Sequence, residues 1–201
     1  IEAPGLRAEA LAIALLLREA AETGRTAALI TPDRMLTRRV AAALDRWGIL
    51  PDDSAGRPLA LSAPGRFLRH VADLACNRLS ADRLLVLLKH PLTASGGDRG
   101  NHLRLTRDLE LRLRRHGPAF PTTEDLQLWA TTQQGPEATA WAAALAACLP
   151  PLSDDAREPL ALHVARHRLL AEGLARGTAT EGSGTLWDRA AGQESRRLMD
   201  E

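Results

Sequence analysis

Lysine is almost missing from this chain. Of its 26 basic residues, 25 are arginine and one is Lys89. A nucleotide-binding phosphate loop needs Gly-Lys-Ser/Thr, whereas Lys89 sits in Leu-Leu-Lys-His-Pro with no glycine-rich loop before it. The same scarcity leaves no lysine to form a Schiff base. A metal-dependent nuclease of the Asp…Glu-x-Lys type is excluded as well, because no acid lies within six residues upstream of Lys89. Tyrosine is absent, and two Phe and four Trp make up the aromatic complement. That is too few rings for a stacking platform on single-stranded nucleic acid. Two cysteines, Cys76 and Cys148, cannot ligate an iron–sulfur cluster or close a four-thiolate zinc site. Both fall in apolar helical patterns, as buried free thiols of a reducing, cytoplasmic compartment do. No uncharged apolar run reaches the 18 residues or so that a membrane span needs. The chain has no signal-peptide pattern, opens mid-pattern at Ile1 and stops on Asp200-Glu201. It therefore reads as a segment of a longer polypeptide.

What is present is an ordinary globular composition, 45% hydrophobic and 25% charged, rich in Ala and Leu and thus in helix formers. The net charge is +1, so no global basicity points to nucleic acid or to a membrane surface. Residues 6–22 carry Leu6, Ala10, Ile13 and Leu17 on one helical face, with Gly24 past the end. The uncharged run 26–30 predicts a buried strand. Thr31 and Pro32 then suit the N-cap and first position of a helix showing Leu36, Val40, Leu44 and Trp47. Residues 58–62 predict a second short strand. The order helix–strand–helix–strand implies a small, parallel sheet.

Beyond residue 63 the strand signals stop. Ser62, Ser80, Thr122 or Thr123 and Pro136 mark helix starts, and Pro91, Gly117-Pro118 and Pro150-Pro151 mark ends. Helices are expected over 101–116, 159–176 and 186–200. The expected fold is thus mostly α, with a small α/β piece of two short strands over 1–63 and an all-helical region over 64–201.

Three constellations bear on chemistry. His163 and His167 stand at i, i+4, a spacing able to present two imidazoles to a metal. Yet the glutamate of the zinc-protease motif is replaced by Val164 and no third ligand is evident, so two ordinary histidines are the plainer reading. Asp52-Asp53 and Asp154-Asp155 are turn carboxylates, which more often cap than hold Mg²⁺. The helix 101–116 is the sharper feature. Leu105, Leu109 and Leu113 line one side, while Arg104, Arg107, Arg112, Arg114 and Arg115 spread over the other, with Arg99 just ahead. These six arginines are the candidate DNA contacts, because guanidiniums on one face can meet successive phosphates. Against this, Asp108 is spaced to pair with Arg104 and Arg112, and Glu110 with Arg114. No catalytic, cofactor or metal residue emerges, and the residues alone describe a non-catalytic module.

The stretch Thr26-Ala27-Ala28-Leu29-Ile30-Thr31-Pro32-Asp33-Arg34, then Arg38-Arg39-Val40-Ala41-Ala42-Ala43-Leu44 and Trp47-Gly48-Ile49, resembles the second RecA-like domain of superfamily 1 helicases. The continuation from Asp52 to Leu59, then Leu87-Leu88-Lys89-His90-Pro91-Leu92, Ala171-Glu172-Gly173-Leu174-Ala175 and Leu186-Trp187, is similar to one family. That family is AddB, the subunit that pairs with AddA in bacterial helicase–nucleases, in its alphaproteobacterial form. The resemblance implies a partial 2A-like piece followed by a helical 2B-like insertion. It also implies a part in processing double-strand-break ends for homologous recombination, an AddA-like partner, and DNA in the assembled complex with weak or no DNA binding by this segment alone. Family members have lost a working ATPase and carry a C-terminal nuclease with an iron–sulfur cluster, regions this segment does not include. In active relatives an arginine after the strand meets nucleotide phosphate. Arg34 lies near that position but follows Thr-Pro-Asp, and no ATP role is carried onto it. The alternative from the residues is a free-standing helical protein-interaction module.

Overall fold

The computed structural model describes residues 2–56, 58–149 and 159–201. These residues are mostly helical and divide into two compact units, at Gly56 and Arg57. In the first, α1 (Leu6–Glu22) packs along α2 (Arg34–Asp45). Ala10 and Ala14 of α1 meet Val40 and Leu44 of α2, with Ile13, Leu17, Leu36 and Trp47 half-buried around them. The small alanines let two short helices share one seam. The Arg18 guanidinium lies 5.0 Å from the centre of the Trp47 ring and covers its face.

Two expectations for this region are corrected. The cap of α2 is Asp33, two residues beyond Thr31, because its carboxylate accepts from the Met35 N–H at 2.7 Å. Thr31 instead turns the chain ahead of it, its hydroxyl accepting from Asp33 N–H. Neither expected strand forms, so no RecA-like sheet is present among the described residues. Residues 26–30 carry no ladder partner, and a strand exists only by hydrogen bonding to another. Leu29 reaches the small core, but Ile30 is 95% exposed. Residues 58–62 form a single 3₁₀ turn, Leu59–Leu61, leading into Ser62. The Leu59 carbonyl accepts from both the N–H and the hydroxyl of Ser62, and Gly65 packs so closely that a Cβ there would sit 2.0 Å from that oxygen. The closed turn consumes the backbone groups a ladder would use.

The second unit holds α3 (Ala63–Cys76), α4 (Ala81–Lys89), α5 (Arg99–His116), α6 (Thr123–Thr131), α7 (Glu137–Ala147), α8 (Leu160–Arg176) and α9 (Arg189–Asp200). Local chemistry sets their starts. The Ser62 hydroxyl accepts from Gly65 N–H, the Asp98 carboxylate from Asn101 N–H, and Thr122 and Asp125 form a reciprocal capping box. The helices enclose one apolar core, with Phe67 and Val71 of α3, Leu84, Leu87 and Leu88 of α4, Leu105 and Leu109 of α5, Leu126 of α6 and Trp141 of α7 all buried. The Trp129 and Trp141 rings meet edge to face at 5.7 Å.

Two polar devices sit inside that core. His102 of α5 is buried, accepting from the Trp141 indole N–H at 2.9 Å and donating from Nε2 to the Leu88 carbonyl at 2.8 Å. The second is the loop 93–97, which closes the last turn of α8. Ala94 N–H donates to Leu174 O at 2.8 Å and Gly96 N–H to Ala175 O at 3.1 Å. These bonds satisfy carbonyls that a helix end leaves unpaired. Gly184, at φ +54°, presses on the same loop.

Two expectations follow. A Cβ at Gly184 would lie 2.3 Å from Ser95 Oγ and 2.7 Å from both Ala175 O and Gly96 N. Gly184→Ala should therefore destabilise this unit by about 2–4 kcal/mol in urea unfolding. Second, burial holds the His102 imidazole below its ordinary pKa, and burial together with His70, Arg66 and Arg99 holds His90 at about 4. The unfolded chain takes up these protons as pH falls through about 6.5 while the folded chain resists. Stability is thus full above that pH and is lost toward pH 4. His90 alone should remove about 2 kcal/mol between pH 7.5 and pH 5, read from urea midpoints.

Candidate nucleic-acid interface

Helix α5 is built to show two faces. His102, Leu105, Thr106 and Leu109 are buried, and Leu113 packs partly against the same core. The opposite half carries Leu103, Arg104, Arg107, Leu111, Arg112, Arg114 and Arg115, all exposed. Arg114, Arg115 and His116 occupy the last turn, where positive charge suits the helix dipole.

The six candidate arginines do not act alike. Arg99 does not join the outward face. It is half-buried, and its Nη1 donates to the Thr93 carbonyl, fastening the loop ahead of α5. Arg104 meets Asp108 at 3.4 Å, Asn101 Oδ1 at 2.7 Å and Glu137 at 3.5 Å. Arg114 donates twice to Glu110, at 2.9 and 2.8 Å. Arg107, Arg112 and Arg115 make no ion pair with any described residue. The pairing of Asp108 with Arg104 and of Glu110 with Arg114 follows the i, i+4 spacing, but the Asp108–Arg112 pair does not form among the described residues. The face thus offers three uncommitted guanidiniums, with Leu111 standing between Arg107 and Arg115 at four-residue steps.

Sequence spacing did not reveal the partner of the lone lysine. Lys89 Nζ lies 2.6 Å from Glu110 Oε2, so one carboxylate holds both Lys89 and Arg114. Those two cations keep the Glu110 carboxyl below its usual pKa. The only signal of this pair in the sequence was that each falls on the edge of an apolar stripe.

None of the family models, curated proteins or solved structures compared with the chain matches it.

The other candidates resolve separately. The His163 side chain is exposed, whereas His167 Nε2 bonds the Leu68 carbonyl at 2.8 Å, so the two are not turned to one ligand. Among the described residues no group of three or more His, Cys, Asp or Glu is disposed to hold a metal ion. Asp53 caps its own turn through Ala55 N–H and meets Arg34 at 3.3 Å, while Arg34 Nη2 donates to Gly56 O. The Arg34 guanidinium thereby ties the turn at 53–56 to the start of α2. Asp154-Asp155 lie outside the described residues. Cys148 is a buried free thiol whose burial pushes its pKa up, which opposes thiolate chemistry. Among the described residues no helix is long and apolar enough to cross a membrane.

Because Arg107, Arg112 and Arg115 have no described partner, replacing all three by Ala should change unfolding free energy by less than about 0.5 kcal/mol. Glu110→Ala should cost more, about 1 kcal/mol, because it strands Lys89 and Arg114 together. Parallel urea titrations of the two variants check the contrast.

Proposed function

We propose that the chain serves as a non-catalytic segment of an AddB-like subunit, helping to line the DNA path and to dock an AddA-like helicase–nuclease partner during double-strand-break end processing. The observation that carries this reading is the uncharged segment 26–30. It is without a ladder partner among the described residues and, apart from half-buried Leu29, exposed between two helices, and it leads directly into the Thr31-Pro32-Asp33-Arg34 stretch that resembles the strand-to-helix step of a superfamily 1 helicase. A segment of that composition becomes a strand only beside a hydrogen-bonding neighbour. On this reading its sheet is completed by strands from elsewhere in a longer polypeptide, giving the partial 2A-like piece. The surface of α1 supports it. Leu11, Leu15 and Leu16 are exposed beside the buried Ala10 and Ala14, so α1 shows solvent an apolar strip that a further element could cover.

A second support links two stretches that resemble the family. The Trp187 indole N–H donates to Glu172 Oε1 at 2.9 Å, and Arg168 holds the same carboxylate at 3.0 Å. Leu186-Trp187 and Ala171-Glu172-Gly173 are therefore one structural unit. The DNA-facing part of the proposal rests on Arg107, Arg112 and Arg115, where non-specific phosphate contact requires unneutralised guanidiniums.

The deciding experiment is reconstitution with an AddA-like subunit. Co-elution, with amides 26–30 becoming protected from hydrogen exchange in the assembled complex, is the expected result. In that complex the Arg107, Arg112 and Arg115 triple Ala variant should lose DNA affinity. Its salt dependence should flatten by about one unit of slope per lost phosphate contact. Failure to associate, with 26–30 unprotected, overturns the reading in favour of a free-standing helical module.

A further inference from the structure

His90 is 9% exposed, yet only one of its ring nitrogens is spoken for. Nδ1 accepts from the Leu92 N–H at 3.2 Å. An accepting Nδ1 places the proton on Nε2 in the neutral ring. That Nε2–H has no acceptor among the described residues. A buried donor without an acceptor is uncommon and points to a missing partner.

The surroundings define what the partner must be. The His70 ring stands edge-on to His90 at 6.1 Å, and the Phe67 ring of the same helix lies 5.2 Å from His90. Arg66 precedes Phe67 on α3, one turn before His70; its side chain is exposed and makes no bond to any described residue. From the other side, Arg99 is anchored on the Thr93 carbonyl, and Thr93 N–H in turn donates to His90 O at 3.0 Å. Asp98, eight residues after His90, is occupied as the cap of α5, accepting from the Asn101 N–H. The groups bearing on His90 electrostatically are His70, Arg66 and Arg99, with no carboxylate among them.

We propose that Arg66, His70, His90 and Arg99 form an oxyanion site that takes one phosphate group, with His90 Nε2–H donating to a phosphate oxygen and the two guanidiniums supplying the charge. Guanidiniums and imidazole N–H groups are donors only in this geometry, and a tetrahedral anion with several acceptor oxygens satisfies all of them at once. The loop on which Arg99 is anchored is itself pinned on the Leu174 and Ala175 carbonyls of α8. The site is separate from the Arg107, Arg112 and Arg115 face and does not rest on the AddB-like reading. It also assigns Arg99 a different role from that of the helix-face arginines.

The probe is inorganic phosphate, titrated against chloride at constant ionic strength into the 201-residue chain. The readout is the histidine side-chain nitrogen–proton NMR spectrum. The His90 Nε2 signal should shift saturably, with His70 following, at a dissociation constant of about 1 mM. Arg66→Ala, at an exposed and unpaired position, should weaken binding roughly tenfold while leaving the dispersed spectrum intact. The Arg107, Arg112 and Arg115 triple Ala variant should bind phosphate as the parent does. A short DNA duplex in a second arm separates the sources. Competition with phosphate at His90 assigns the site to a nucleic-acid backbone, and a duplex that leaves His90 unmoved assigns it to a small phosphorylated ligand. A linear, unsaturating response of His90, or an unchanged affinity in Arg66→Ala, overturns the proposal.

Discussion

The second unit turns on one buried imidazole. His102 joins three helices by two hydrogen bonds, one from the Trp141 indole of α7 and one to the Leu88 carbonyl of α4. A Leu at this place would fill the space but leave both the indole N–H and that carbonyl without partners, each a penalty of about 1–3 kcal/mol. The bond to Trp141 fixes the register of α5 against α7. The face that α5 shows to solvent is set by the same bond, because a helix that buries His102, Leu105 and Leu109 must turn Arg107, Leu111 and Arg115 outward.

The first unit shows what happens without such a device. Its seam of Ala10, Ala14, Val40 and Leu44 is small, and much of the apolar surface of α1 and of residues 26–30 stays in contact with solvent. About 25 cal/mol is gained per Å² of apolar surface removed from water, so a piece with so little buried has little reserve of its own. The two units thus differ in kind. One holds a closed core tied by the His102 hydrogen bonds, and the other is an open layer.

Helix starts were legible because they are written in adjacent residues. Ser62, Thr122 and Pro136 each open the helix expected of them. The strands were not, since an uncharged run such as 26–30 has no periodicity of its own and becomes a strand only if a partner is near. Residues 58–62 failed for a local reason: Pro58, Ser62 and Pro64 together favour a tight turn and a helix start over extension. At the candidate interface, pairs four residues apart could be read in advance, as Arg104–Asp108 and Arg114–Glu110 show. Bonds between elements could not. Lys89 with Glu110, Arg104 with Glu137 and Arg99 with the Thr93 carbonyl all depend on how helices and loops meet, which spacing along one helix does not encode.

The pairing of Lys89 with Glu110 has a further consequence. The chain carries a single side-chain amine, and that amine stands at the junction of α4 and α5, about half exposed and held in an ion pair. Any chemistry that selects primary amines, whether a fluorescent ester, an acetyl donor or a bifunctional cross-linker, therefore addresses one side-chain location. Modification there removes the charge from one of the two cations on Glu110 and leaves that carboxylate to Arg114. A label on Lys89 would report on the contact between two core helices, and its rate of attachment would follow how often that ion pair opens.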